Sequence, residues 1–291
     1  MLMGFKSILV PFLDEQSARP AFAAAALLAR ESKGHIFCVH IRQRPVPSTT
    51  IIYPLGGVYT TFTQEFQETE NKLANDLRQL FTSLCTEEAV ATVAATAHSS
   101  AKGATASWRD EEDDLFLTMP ASGMTCDLAI LSAGGDKPSP LATMLAEEML
   151  FQSGRPVLLV PSTGLTTAPK RIVVAWNGRQ EAARAVSAGL DLLRKADAVR
   201  VLTVRKAQTP AVNTDDLTIY LRLHNVEATQ TEIELVENEV ETEKLDEEIR
   251  EFGADLLIMG AYSHSRWREA ILGGYTRHVL KHSNIPVFMS Q

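Results

Sequence analysis

Four small residues near the end of the chain carry its clearest chemical signal: Gly260, Ser263, Gly273 and Gly274, within DLLIMG, AYSHSRWREAILGGYTRHVLKHSN and IPV. A strand that ends in glycine and feeds a helix leaves backbone N–H groups unpaired, and these attract anions with help from the helix dipole. Gly260 would let the chain turn closely. Gly273-Gly274 would let backbone approach a ligand with no Cβ in the way. Ser263, His264, Ser265, Arg266, Tyr275 and Thr276 add side-chain donors to the same stretch. Arg266 could pair with a phosphate as a fork donor, or with Glu269 or the other domain. His264 could act as a general base, but no triad partner is visible, so capping or positioning is the preferred reading.

The elements that must position these groups follow from the pattern. Residues 255–259 form a short apolar run closed by Gly260, as expected for a buried strand of a parallel sheet. A polar turn follows at 263–266. Trp267, Ile271, Leu272, Tyr275, Val279 and Leu280 then recur at helical spacing, and residues 285–289 resume a strand. This order puts the glycines at the carboxyl edge of a parallel sheet, where nucleotides bind in open α/β folds.

The stretch resembles the universal stress proteins, which carry G-x2-G-x9-G-S/T between their last two strands and cradle the phosphates of ATP or AMP there. The spacing is kept by Gly260, Ser263, Gly273 and Gly274, with serine at the second glycine and glycine at the hydroxyl position. Thr276, or Ser263, Ser265 and Arg266, could replace the lost phosphate donor. The HSR and GGYT wording is similar to a subgroup of tandem bacterial members. The resemblance implies a Rossmann-like fold of the adenine nucleotide alpha hydrolase type. It implies ATP or AMP in the second domain only, with Mg2+ able to accompany it, and the base between strand ends near Ala175 and Val204. Asn177 stands near the position of a family Asp, keeping hydrogen-bonding capacity without the charge. Trp176 could stack on the base or fill the core. The last strands of the two domains would pair, the runs at 156–160 and 286–289 being the candidates, so the chain would form its own pseudo-dimer, open to a further homodimer. The expected role is a cytoplasmic sensor or switch in stress response with an unknown protein partner. The alternatives are an interaction scaffold without nucleotide, a binder of another small anion, or slow ATP hydrolysis. Hydrolysis would need a metal and a water-activating group that the sequence does not name, so no catalytic or metal-ligating residue is assigned.

An internal repeat supports a tandem architecture. Lys170-Arg171 and Ile172-Val173-Val174 restart the pattern of Lys6-Ser7 and Ile8-Leu9-Val10, Asp255-Leu256 matches Asp127-Leu128, and Pro286-Val287 matches Pro156-Val157. Each repeat reads βαβαβαβαβ, which gives an α/β fold of two doubly wound parallel-sheet domains, 1–162 and 168–291, about a Pro/Gly/Thr linker at 161–169. The first repeat reads as strands at 8–10, 35–41, 89–97, 126–131 and 156–160, with helices at 18–30, 64–84 and 140–152. Its loop at 42–61 could lie over a binding crevice or be a surface excursion. The second reads as strands at 172–174, 198–204, 228–235, 255–259 and 285–289, with helices at 181–195, 217–224 and 267–280 and a further helix start at 237–248. Leu145-Ala146 stands where the first repeat would need its glycine pair, so that domain is expected to bind no nucleotide, or to bind one weakly.

The bulk numbers narrow the classes. A chain of 291 residues with 45% hydrophobic and 22% charged residues is ordinary for a globular protein. Its net charge of −8 argues against nucleic acid or anionic membrane as the main partner. No apolar run approaches the roughly 20 residues of a membrane span, and MLMGFKSILVPF becomes strand-like too soon for a signal peptide. Cys38, Cys85 and Cys126 have no metal-type spacing and read as buried thiols in a reducing cytoplasm. The acidic runs at 110–114 and 237–248 read as solvated helix starts, the first preferred over a metal cluster, the second with Leu245 and Ile249 facing inward. His40 and His98 could converge, but a zinc site would need two more ligands. Arg277, His278, Lys281 and His282 suit the negative end of a helix dipole. No G-x-x-x-x-G-K-S/T, G-x-S-x-G or H-E-x-x-H pattern is present, which weighs against ordinary ATPase, esterase and zinc-protease mechanisms.

Overall fold

The computed structural model describes residues 4–44, 56–94, 102–132, 139–206, 212–236, 239–261 and 274–291. The first half runs β1 (Ser7–Pro11), α1 (Glu15–Ser32), β2 (His35–Arg42), α2 (Gly56–Glu87), β3 (Ala91–Thr92), β4 (Thr105–Glu112), α3 (Leu115–Gly123), β5 (Leu128–Ser132), α4 (Pro140–Gln152) and β6 (Val157–Val160). The second half runs β7 (Arg171–Ala175), α5 (Gln180–Ala188), α6 (Leu190–Leu193), β8 (Ala198–Lys206), α7 (Asp215–Leu223), β9 (Ala228–Leu235), α8 (Glu241–Phe252), β10 (Leu256–Gly260), α9 (Gly274–His282) and β11 (Val287–Ser290).

All strands join one sheet in the order β3-β4-β2-β1-β5-β6-β11-β10-β7-β8-β9. Setting aside the two-residue β3, each half repeats the same doubly wound order, β4-β2-β1-β5-β6 and β9-β8-β7-β10-β11. Pairing is parallel within each half. The halves meet through β6 and β11, which run antiparallel in the register Val287 to Leu159, Phe288 to Leu158 and Met289 to Val157. The central strands β5, β6 and β11 are buried at every residue, which is why they read as unbroken apolar runs.

Alternation along these strands builds two core layers that both cross the β6/β11 seam. One holds Ile8, Val10, Leu158, Ile172, Val174 and Phe288 against α1 and α5. The other holds Leu9, Val157, Leu159, Val173, Met289 and residues of α3, α4, α8 and α9. Phe5 of the first half lies 6.1 Å from Phe288 of the second, ring to ring.

The repeat is also visible in the hydrogen bonds. The Asp127 carboxylate accepts from the Lys6 and Ser7 amides at 2.8 and 3.0 Å. The Asp255 carboxylate accepts from the Lys170 and Arg171 amides at 2.8 and 2.9 Å. In both halves an aspartate before the fourth long strand ties down the start of the first.

Several expectations need correction. Helix α2 begins at Gly56, so the end of the expected loop at 42–61 is helical. Within the described part of the strand expected at 89–97, residues 89–94, only the two-residue β3 forms, residues 95–97 lie outside the described residues, and the long third strand is β4. The acidic run at 110–114 therefore lies mostly in a strand rather than in a helix start. Asp110 and Glu112 sit opposite His40 and Arg42, and Arg42 pairs with Asp110 at 3.0 Å. The half-exposed pattern of β4 explains the misreading, because a strand near the sheet edge tolerates charge. The helix expected at 181–195 is broken at Gly189, where an added Cβ would stand 2.9 Å from Ile258 Cδ1. The helix expected at 267–280 is described from Gly274 onward. The linker is anchored, with Leu165 buried in the core.

Candidate functional site

The strand order creates a switch point between β7 and β10, because the chain leaves β7 for β8 on one side while β10 lies on the other. At the carboxyl edge, Ala175 ends β7 beside Leu202 and Met259, and Gly260 ends β10 beside Ser290. Val204 stands next in the sheet on β8, opposite Ile233, two residues before the strand ends. The structure thus brings Ala175, Val204 and Gly260 to one edge.

The turn after β7 starts α5. Trp176 is half-buried against the core, and its indole N–H donates to the Asn213 carbonyl at 3.2 Å. Its own carbonyl accepts from the Thr203 hydroxyl at 3.1 Å. Asn177 is exposed, and its side-chain oxygen accepts from the Arg179 amide at 3.1 Å. Gly178 has φ +71°, a conformation that suits glycine. Helix α5 then begins with no side-chain hydrogen bond from its N-cap, Arg179.

Gly260 is glycine for a reason the motif did not show. A Cβ there would stand 2.4 Å from the Ala182 amide nitrogen and 2.7 Å from the Glu181 carbonyl carbon. The first turn of α5 rests directly on the strand end. Glu181 lines this corner, and its Oε2 is buried without a hydrogen-bond partner among the described residues.

Helix α9 opens at Gly274 and turns Tyr275 away from that corner toward α8. The Tyr275 phenol donates to Asp246 Oδ1 at 3.4 Å, and His278 Nε2 lies 2.7 Å from Asp246 Oδ2. Burial, and then the Asp246 charge, raise the Tyr275 pKa far above its usual value, so the phenol stays a donor. The rings of Tyr275, His278 and His282 follow one another along α9 at 6.1 and 5.2 Å. A groove of about 360 Å³ runs between α8 and α9, with Ile249, Leu257 and Val279 inside and Arg250, His278 and His282 on its walls. Thr276 is buried. Ser263, His264, Ser265, Arg266 and Gly273 lie outside the described residues.

Glu181 and Asp246 were not found from the sequence. Asp246 was read as part of a solvated helix start, and nothing in its spacing links it to His278; only the packing of α8 on α9 does. Leu245 and Ile249 are buried, as expected. Cys38, Cys85 and Cys126 are free and buried, and burial raises the pKa of each thiol. His40 is buried, with Nδ1 2.8 Å from the Phe12 carbonyl, while His98 lies outside the described residues. Among the described residues no group of three or more His, Cys, Asp or Glu side chains is placed to hold a metal ion. Among them, too, no helix is long and apolar enough to cross a membrane.

Comparison with known proteins adds the following. Residues 169–291 match the model of the universal stress protein family. No curated protein matches the chain. A universal stress protein structure from Archaeoglobus fulgidus DSM 4304 aligns with TM-score 0.69 and 12% identity, over 98% of this chain and 97% of that one. A functionally unknown protein from Pseudomonas aeruginosa PAO1 aligns with TM-score 0.57 and 16% identity, over 99% and 93%. At these identities the likeness is one of fold, and it spans both halves.

Proposed function

We propose, from the match of residues 169–291 to the universal stress protein family model, that the chain is a tandem pair of such domains, 1–162 and 168–291. In this reading the second domain binds an adenine nucleotide, ATP or AMP, as a sensor or switch in a cytoplasmic stress response.

The observation that carries this reading is the contrast between the two helices that follow the first strand of each half. In the first half Asp14 caps α1, its carboxylate accepting from the Ser17 amide at 2.7 Å, and Glu15 follows it. The Asp14 carboxylate already uses the positive end of α1 and would repel a phosphate. In the second half the corresponding turn is Asn177-Gly178-Arg179, and α5 carries no side-chain cap, although Glu181 stands in its first turn as Glu15 does in α1. Its first-turn donors are therefore suited to an anion. The first half also has Ser132 where the second has Gly260, and Leu145 and Ala146 fill the core where the glycine pair would fall.

In the proposed complex the phosphates lie at Gly260, Ser263, Gly273 and Gly274. His264, Arg266 and Thr276 are the neighbouring donors, and the base sits near Ala175, Trp176 and Val204. Glu181, whose Oε2 has no partner among the described residues and whose Cβ lies beside Gly260, is a carboxylate that would suit a Mg2+ ion arriving with the nucleotide. No residue is assigned a catalytic role.

The test is native mass spectrometry of ligand-stripped protein, with calorimetric titration of ATP, ADP and AMP. One nucleotide per chain is expected, with affinity reduced in Gly273→Val and unchanged in Leu145→Met. Absence of binding at millimolar nucleotide would overturn the reading.

A further inference from the structure

Trp176 stands at the turn that leaves β7, and β8 fixes its backbone. Its amide donates to the Leu202 carbonyl at 2.8 Å, and its carbonyl accepts from the Thr203 hydroxyl at 3.1 Å. Its ring packs against the core. The indole is therefore a fixed point, and its N–H donates to the Asn213 carbonyl at 3.2 Å.

Val212, Asn213 and Thr214 lead into α7, and further contacts say how they lie. The Asn213 side-chain oxygen accepts from the Asp215 and Asp216 amides at 3.0 and 3.4 Å, so it gathers the first donors of α7. The Thr214 hydroxyl donates to Gln230 on β9 at 2.9 Å, and Gln230 in turn donates to the Thr218 hydroxyl at 2.9 Å. Val212 comes down on the turn after β7. Its Cγ1 lies 3.0 Å from where a Cβ on Gly178 would stand. Gly178 immediately precedes Arg179, the N-cap of α5. One end of this segment is thus tied to β9. The other lies at the start of α5, where the Trp176 indole holds it.

We infer that Trp176 is a positioning residue, a latch whose indole N–H holds residues 212–214 over the mouth of the β7–α5 corner. A single exposed hydrogen bond contributes modestly, so this one can open and close without unfolding the domain. Releasing it frees Val212 from Gly178 and opens the approach to the first turn of α5. In this role the ring anchors the chain beside the corner and does not stack on a base. The latch is read from these contacts alone. Its effect on a ligand rests on the nucleotide reading above, and the two are tested separately.

The first arm is amide hydrogen exchange on the full chain without nucleotide, followed by mass spectrometry over 212–218. It compares wild type, Trp176→Phe and Trp108→Phe. Both substitutions trim an indole to a phenyl ring. Trp108 Nε1 has no hydrogen-bond partner among the described residues, so only Trp176→Phe removes such a bond. Trp176→Phe should speed exchange over 212–218 by about two- to tenfold, the factor set by the net contribution of one hydrogen bond, and leave α8 unchanged. No change at 212–218 would overturn the latch. An equal change in Trp108→Phe would overturn it too, because the effect would then be a general loosening. The second arm is stopped-flow binding of a ribose-labelled fluorescent ATP. The latch predicts association faster by about threefold or more in Trp176→Phe. Unchanged association with faster dissociation would mean that the indole stacks on the base, and the latch would fall. If the wild-type chain takes up no nucleotide, the nucleotide reading fails and the exchange arm alone decides the latch.

Discussion

Gly260 is where the structure makes its most specific demand. Replacing it with alanine puts a methyl group 2.4 Å from the Ala182 nitrogen, 2.7 Å from the Glu181 carbonyl carbon and 2.9 Å from Glu181 Cβ. Two of the three obstacles are backbone atoms of α5, so no rotamer change relieves the clash. Either α5 moves off the sheet or β10 bends, and both disturb the packing around Ile258 and Phe288. Overpacking of a tight site costs about 1–3 kcal/mol, and backbone obstacles put this case at the upper end, about 2–3 kcal/mol. With a shift of roughly 2–4 °C per kcal/mol for chains of this size, the midpoint should fall by about 4–12 °C. Gly103 is the control, because an added Cβ there meets nothing within 4 Å among the described residues. Gly103→Ala should stay within about 0.5 kcal/mol of wild type. Thermal and guanidinium unfolding of both variants, without nucleotide, is the assay. If Gly260→Ala were as stable as Gly103→Ala, the glycine would not be required by helix packing, and its role would be clearance for a ligand alone.

Two further outcomes follow from burial. Phe288 is fully buried in the core layer that crosses the β6/β11 seam, so Phe288→Ala should cost about 3–5 kcal/mol. Because Phe5 packs on it from the first half, both halves should lose stability together. Separate transitions in calorimetry, with the first half unmoved, would contradict this. The thiols give a pH prediction. Burial raises the pKa of Cys38, Cys85 and Cys126 in the folded state, so the neutral thiol persists to higher pH than in the unfolded chain. Iodoacetamide at pH 8 to 9 should leave the folded protein largely unmodified and alkylate all three after denaturation. Rapid modification of the native protein would contradict it.

The sequence exposes the central strands and the repeat because those strands are buried on both faces and leave continuous apolar runs. Helix α4 was legible to the residue, since Ser139 caps it and Pro140 opens it. The outer strand β4 was not. Its charged end alternates with its neighbour, and the Arg42–Asp110 pair that makes this tolerable spans 68 positions. Such a pair leaves no local signal. The site was legible in part. Gly260 is legible as the close of an apolar strand, but the press of α5 on Gly260 and the Asp246–His278 contact arise from packing between distant segments.

The two halves share their backbone bonding and differ in the side chains that use it. The Phe12 carbonyl meets His40, and the Trp176 carbonyl meets the hydroxyl of Thr203 in the corresponding place. Asp127 and Asp255 perform the same clasp. The repeated element is therefore a hydrogen-bonded frame, and the halves differ in what caps the helices and fills the corners. Both frames share one core layer in which Leu145, Ala146 and Met149 of α4 join Val279 and Leu280 of α9 across β6 and β11. Close-packed interiors do not deform gradually. If a ligand at the head of α9 shifts that helix, the shift must be taken up by the layer that also seats α4.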